Sequence, residues 1–305
     1  MSQAPRHGIP RDLRLVLDEW GVRISGHREI DHATQYYLEH GPESVLLNVY
    51  STGTVLAQGP RSGFKDLLEE RIPAARRGKS AGGGRGRSGP RPVLDGTPRV
   101  GMDEAGKGDY FGPLVVAGVR ITGMEAAEIL QGLGVRDSKT LGVTVVRALA
   151  DRVLEALGLR NVRVMALSPR GYEERRSAAG NVNRLLDEVD AEIIGELGDG
   201  VELVVVDQYA TSARERLLPF VPEGVRLEVR QRAEDDAAVA AASILARARQ
   251  LEEMDRLSER VGFPLPRGST EVIEAGRRVV REAGEEGLRG VAKTSFGITA
   301  QILGG

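Results

Sequence analysis

Gly101-Met-Asp-Glu-Ala-Gly-Lys-Gly-Asp-Tyr-Phe-Gly-Pro-Leu-Val-Val-Ala-Gly-Val119 decides the reading of this 305-residue chain. A short apolar strand, Arg99 to Met102, runs into two adjacent carboxylates, Asp103 and Glu104. A Gly106-Lys107-Gly108 turn follows, and a second apolar strand spans Leu114 to Ile121. Acids at a strand end offer oxygen ligands to hard divalent cations. The free N–H groups of a glycine turn, beside one lysine, suit a phosphate. Metal next to phosphate points to phosphoryl transfer. One geometric condition attaches: neighbours on a regular strand face opposite ways, so both acids serve one site only if the strand ends or bulges between them. Gly106 favours an early end.

Composition narrows the chemistry. There is no cysteine, and all four histidines (His7, His27, His32, His40) precede the motif by more than sixty residues. Thiolate chemistry, a histidine-based triad and histidine-ligated zinc are therefore excluded from the region of the motif. Carboxylate ligands select Mg²⁺ or Mn²⁺. No stretch approaches the roughly 18 apolar residues of a membrane span, and the N-terminus lacks an apolar signal core. A cytoplasmic protein with no membrane partner is expected. The net charge of −2 conceals an asymmetry: residues 1–92 hold 14 Lys/Arg against 10 Asp/Glu, and the rest of the chain is acidic. A basic appendage on an acidic body suits an enzyme that gathers a polyanion at one end and cuts it at the other.

Outward from the motif, three segments are expected. Residues 1–70 read as a small α+β unit, with helices over Asp12–Trp20 and Phe64–Glu70 and a hairpin of Ser44–Tyr50 with Thr54–Gln58. Residues 71–92 hold seven basic residues and six glycines with no acid, the composition of a solvated linker. Its Gly-Lys-Ser80 matches the end of a nucleotide-binding loop, but Pro73 stands where that loop needs glycine. Residues 93–305 alternate strands (Arg99–Asp103, Leu114–Ile121, Val162–Leu167, Glu202–Asp207, Arg226–Gln231) with helices (Met124–Leu133, Thr144–Leu157, Val182–Glu196, Ala237–Arg260, Thr270–Ala283). The first two strands should pair antiparallel and the later ones add in parallel, giving a mixed α/β sheet flanked by helices.

Further acids recur at informative places. The buried-strand pattern Val201-Glu-Leu-Val-Val-Val-Asp207 ends in a carboxylate at the sheet edge where α/β enzymes bind ligands. Glu234, Asp235 and Asp236 precede a long alanine-rich helix. Arg136-Asp-Ser-Lys139 forms a polar loop between two helices, and each acid has a plainer reading: Asp207 as a turn residue, the 234–236 run as helix N-terminal acids, Asp137 as an N-cap. Acids from three separate segments, with no histidine at hand, favour a metal site.

Here a resemblance enters. Asp103-Glu-Ala-Gly-Lys-Gly-Asp-Tyr-Phe-Gly-Pro113 resembles the first motif of the type 2 ribonucleases H, and its Gly-Lys-Gly form resembles their ribonuclease HIII branch. Asp137-Ser-Lys139, Asn181-Val-Asn183, the strand ending in Asp207, and Ala233-Glu234 followed by Ala240-Ala-Ala-Ser-Ile-Leu-Ala-Arg247 are similar to later motifs of that family, in order. Asn48-Val-Tyr-Ser-Thr-Gly-Thr-Val-Leu-Ala-Gln-Gly59 resembles the hairpin of its N-terminal substrate-binding domain, similar in fold to the TATA-binding protein. The resemblance implies a ribonuclease H-like fold and an endonuclease acting on the RNA strand of RNA–DNA hybrids. It further implies catalytic Asp103, Glu104, Asp207 and Glu234, with Asp103, Glu104 and Asp207 holding two Mg²⁺ or Mn²⁺ ions. Substrate contacts would come from Gly106, Lys107, Gly108, Tyr110, Lys139 and Asn183, and a monomer would suffice. Tyr110 reads equally as a core aromatic, and Asn183 as a helix-surface residue. Three departures stand out: the long arginine-glycine linker, Thr54 where a basic residue is common, and Ala292-Lys-Thr-Ser-Phe296, which is closer to ribonuclease HII. The rival readings are therefore incision at single ribonucleotides in DNA and, from another class, a duplex-binding module whose acids hold a structural ion.

Overall fold

The computed structural model describes residues 5–30, 32–59, 63–72, 95–135, 141–269 and 271–304. The expected linker beyond Ile72, including Gly78-Lys-Ser80, and the loop residues Asp137 and Lys139 lie outside them. The chain clusters into two compact units, residues 1–88 with 139–145 and residues 89–138 with 146–305.

In the first unit, helix α1 (Arg11–Glu19) precedes four antiparallel strands and a closing helix α2 (Gly63–Arg71). The strands, β1 (Arg23–Ile30), β2 (Ala33–His40), β3 (Glu43–Tyr50) and β4 (Val55–Gln58), lie in chain order across the sheet. Strand alternation puts Tyr36, Leu38, Val45, Leu47, Val49, Val55 and Ala57 on one face, where they meet Leu13 and Leu17 of α1 and Phe64 and Leu68 of α2. The opposite face carries a polar row through all four strands. Arg28 Nε donates to Gln35 Oε1 (2.7 Å), Gln35 Nε2 to Asn48 Oδ1 (2.8 Å), and Asn48 Nδ2 to Gln58 Oε1 (2.9 Å).

The second unit is built on a five-stranded sheet of order β7-β6-β5-β8-β9. Its strands are β5 (Arg99–Ala105), β6 (Leu114–Ile121), β7 (Val162–Leu167), β8 (Leu203–Asp207) and β9 (Arg226–Arg230). The helices are α3 (Met124–Leu133), α4 (Val143–Leu157), α5 (Pro169–Ala179), α6 (Val182–Leu197), α7 (Ala213–Leu217), α8 (Ala237–Val261), α9 (Ile273–Arg289) and α10 (Thr299–Leu303). The β5–β6 pair is antiparallel, and β8 and β9 add in parallel. Strand β7 corrects the expectation: it pairs antiparallel with β6. A single crossover helix forces a parallel return, but two helices, α3 and α4, separate β6 from β7 and leave its direction open.

Each face of this sheet has its own cover. Val100, Met102, Val116, Val204 and Val206 pack against Leu185, Leu186, Val189, Ile193 and Ile194 of α6. Leu203 and Val205 meet Ala233 and Val239 on the α8 side. There Gly101 is required, because a Cβ would collide with the Val239 nitrogen and the Ala238 backbone. The start of α8 is fixed by Asp236, which caps it by accepting from the N–H groups of Ala238 (2.8 Å) and Val239 (3.2 Å). The same carboxylate pairs at 2.6 Å with Arg99, itself buried at the start of β5. Of the 234–236 run, Asp236 is thus the helix-capping acid. Together these contacts set α8 in register with β5.

Candidate active site

The α8 face of the sheet brings together Asp103, Asp207 and the turn that holds Glu234. Strands β5 and β8 pair in parallel from Arg99↔Leu203 to Met102↔Val206; one residue further, that register sets Asp103 beside Asp207. Parallel neighbours share a face, so both carboxylates project towards α8 with Gly101 and Val205. Asp207 Oδ1 accepts the Ala233 N–H at 3.0 Å, tying the end of β8 to the 3-10 turn Ala233–Asp235. Glu234 is half-buried on that turn.

Asp103 is 4% exposed. Its Oδ1 accepts the Glu104 N–H at 2.8 Å, while Oδ2 is buried without a hydrogen-bond partner. Burial, then the charge of Glu104 and that of Asp207, push its carboxyl up to about 8, against a smaller opposing pull from the Ser243 hydroxyl of α8. A carboxyl in this state concentrates negative charge that only a proton or a cation relieves.

Glu104 reaches the other face. The strand neither ends nor bulges between the two acids: Asp103 pairs with Ala117 and Glu104 with Val116 in unbroken register. The early end expected at Gly106 is thus corrected, and the pleat turns Glu104 towards α6. On that helix lies a carboxylate the sequence did not reveal as part of the site. Asp190 is 2% exposed, and its Oδ2 is buried with no partner. Burial and then the charge of Glu104 raise it well above the ordinary range, with Asp103 a smaller contributor. The available signal was positional: Asp190 stands four residues from both Leu186 and Ile194, on the buried stripe of α6.

The Gly-Lys-Gly turn is held close to this centre. Gly106 has φ 84°, and a Cβ there would strike the Pro113 carbonyl, so only glycine closes the loop. Lys107 Nζ donates to the Tyr209 carbonyl at 3.1 Å and lies 5.3 Å from that ring's centroid. Gly108 is exposed. Asp109 fixes the far side of the turn, accepting from Gly268 N (2.6 Å) and from Gln250 Nε2 of α8. Tyr110 does not join this group. Its ring exposes no surface, packs edge-on against Phe111 at 4.9 Å, and its hydroxyl shares a hydrogen bond with Thr299 Oγ1. Apolar area outweighs one hydroxyl here, and the core reading of Tyr110 is the one its surroundings match. Asn183 is half-buried in the first turn of α6, which Asn181 caps by accepting the N–H groups of Asn183 and Arg184.

The donor set suits a hard divalent cation, being carboxylate oxygen throughout with an orphaned oxygen on Asp103. Among the described residues, no three acidic, histidine or cysteine side chains are grouped to ligate one ion. The pleat keeps Glu104 out of a group with Asp103, since it directs the two to opposite faces.

Known proteins resemble this chain in sequence and fold. The family model of ribonuclease HII matches residues 100–299. Ribonuclease HIII of Protochlamydia amoebophila is 40% identical over 226 residues, covering 72% of this chain and 73% of that protein. Ribonuclease HIII of Chlamydia felis is 34% identical over 268 residues, covering 83% and 82%. The crystal structure of Bst-RNase HIII in complex with Mn²⁺ superposes with a TM-score of 0.59 at 26% identity, covering 98% of each chain. With the mixed sheet and the acids at the ends of its two central strands, these likenesses establish that the chain belongs to the type 2 ribonuclease H family, in its ribonuclease HIII branch, and is an endoribonuclease.

Proposed function

We propose that this ribonuclease H hydrolyses the RNA strand of RNA–DNA hybrids, leaving 5′-phosphate and 3′-hydroxyl ends, with Asp103, Glu104, Asp207 and Glu234 as its catalytic carboxylates. The observation that carries the reading is that Asp103 and Asp207 each follow the last residues paired between β5 and β8, Met102 and Val206, so that the register sets them side by side, with Asp103 Oδ2 buried and unpartnered. Asp103, Glu104 and Asp207 would hold two Mg²⁺ or Mn²⁺ ions, Asp103 and Asp207 from the α8 face and Glu104 from the other side of the strand end. Such a pair, when bound, acidifies a coordinated water and neutralises charge on the leaving oxygen. Asp103 is shared between the two halves of the centre, feeling both Glu104 on one side and Asp207 on the other. Glu234 approaches from the α8 turn. No histidine stands near these acids in sequence to act as a base, so the carboxylates' task is to bind and orient.

The turn at 106–108 supplies substrate contact. Glycine lets the backbone approach a ribose, whose 2′-hydroxyl distinguishes RNA from DNA, and Lys107 and Lys139 meet phosphate oxygens. Asn183, at the start of α6, is the remaining substrate contact in this reading. The N-terminal unit, residues 1–70, binds the duplex and, tethered by the basic linker 71–92, raises its local concentration at the active site. A cysteine-free monomer working in the reducing cytoplasm completes the reading. The helices agree with it so far as none of the described ones is long and apolar enough to cross a membrane.

A second reading, incision at single ribonucleotides in duplex DNA, is favoured by Ala292-Lys-Thr-Ser-Phe296 and by the ribonuclease HII family model. One experiment separates them. Labelled RNA–DNA hybrid, DNA with one ribonucleotide, duplex DNA and duplex RNA are incubated with Mg²⁺ or Mn²⁺. Cleavage confined to the hybrid supports the first reading; preference for the single ribonucleotide transfers it to the second.

A further inference from the structure

The side chain of Lys107 is gripped by Tyr209, from the loop that follows β8. Its ammonium donates to the Tyr209 carbonyl at 3.1 Å and faces that residue's ring at 5.3 Å. The ring in turn is tethered, since Tyr209 Oη donates to Asp187 Oδ1 at 2.6 Å. Asp187, 7% exposed on α6, is pinned by the Arg216 guanidinium of α7, which also meets Ser212 Oγ. Tyr209 comes two residues after Asp207, and Lys107 three residues after Glu104. The contact therefore closes the loops that leave the two central strands, on the side where the carboxylates end.

We infer that Tyr209 is a positioning residue that holds the Lys107 ammonium in place for the phosphate backbone of the bound strand. The inference rests on the proposed role of Lys107 in substrate contact. A lysine side chain has four rotatable bonds, and a free one loses that freedom on meeting phosphate. An ammonium already parked on a carbonyl and an aromatic face has lost most of it beforehand, so less affinity is forfeited on binding. The Tyr209 hydroxyl also meets Asp190, but its ring lies against Lys107 and touches neither the reacting atoms nor substrate in this scheme, so the effect of removing the ring belongs in binding rather than turnover.

The test is a double-mutant cycle in the full-length protein. KM and kcat for labelled RNA–DNA hybrid with Mn²⁺, and hybrid Kd without metal, are measured for wild type, Lys107→Ala, Tyr209→Leu, Tyr209→Phe and the Lys107→Ala/Tyr209→Leu pair. Tyr209→Leu is expected to raise KM and Kd about three- to tenfold and to leave kcat within about twofold. Tyr209→Phe keeps the ring but loses its tether, and falls between. In the Lys107→Ala background Tyr209→Leu adds nothing further. Effects that add in full, or a fall in kcat at unchanged KM, overturn the inference. If Tyr209→Leu melts below the assay temperature, Tyr209→Phe carries the same cycle. A wild-type protein that leaves hybrid uncut overturns the proposed substrate instead, and the Kd cycle still decides the coupling.

Discussion

Asp103 is buried, with two carboxylates for neighbours, Glu104 along its own strand and Asp207 across the sheet; burial first, and then these charges, push its carboxyl up to about 8. The folded value lies above the ordinary 3.8, so protonation favours the folded state. That contribution is complete below about pH 3.8 and is lost as pH rises to about 8. Metal-free protein is accordingly expected to lose stability across this window, and Asp103→Asn to flatten the decline, as read by melting temperature in EDTA. Parallel wild-type and variant curves would count against the electrostatic picture. A cation can take the proton's place, so Mn²⁺ should raise the melting temperature more at pH 8 than at pH 5. Much of this was legible in residues 103–108, where acids, glycines and lysine are contiguous. Asp190 and Tyr209 were not, because their relation to the centre depends on which face of α6 meets which strand. Tyr110 shows the converse: an aromatic inside a functional motif whose surroundings belong to the core.

At the scale of elements, the centre depends on how α8 is seated on β5. Arg99 and Asp236 form a buried pair in which Asp236 also caps the helix. Removing Asp236 leaves Arg99 with Asp95 alone and takes the cap from α8, and Asp236→Ala is expected to cost about 2–4 kcal/mol in denaturant unfolding. A loss under about 1 kcal/mol would show that the pair does not anchor the helix. Gly101→Ala tests the same seating by overpacking: the added methyl meets α8 backbone, which cannot yield as a side chain can. It should lower both stability and activity. The apolar runs of β5, β6, β8 and the alanine-rich α8 were readable because their burial demands leave no other reading. The hairpin β1–β2 was not: Arg23-Ile-Ser-Gly-His-Arg-Glu-Ile30 has little apolar alternation, and most of its side chains are exposed or half-buried. Its strand character comes from cross-strand partners such as Gln35 and Asn48. The helix expected to stop at Ala283 does break there: Gly284 leaves helical geometry at φ 68° and ψ −176°, and a second helical segment follows to Arg289.

On the whole-molecule scale, the two units have separate cores, one under the four-stranded sheet and others around the five-stranded sheet. The proposed division of labour rests on charge: a basic N-terminal third and an acidic remainder. Deleting residues 1–92 is expected to raise KM for hybrid at least about tenfold while kcat changes little, and to flatten the dependence of binding on salt. Unchanged KM would assign that unit another task. Every step in the proposed chemistry returns to Asp103 and Asp207 standing side by side. Cleavage of labelled RNA–DNA hybrid by Asp103→Asn in Mn²⁺, with hybrid affinity measured alongside, tests it most directly. The account predicts a rate lower by at least about 10²–10³-fold with affinity retained; cleavage near the wild-type rate by a folded variant would contradict it.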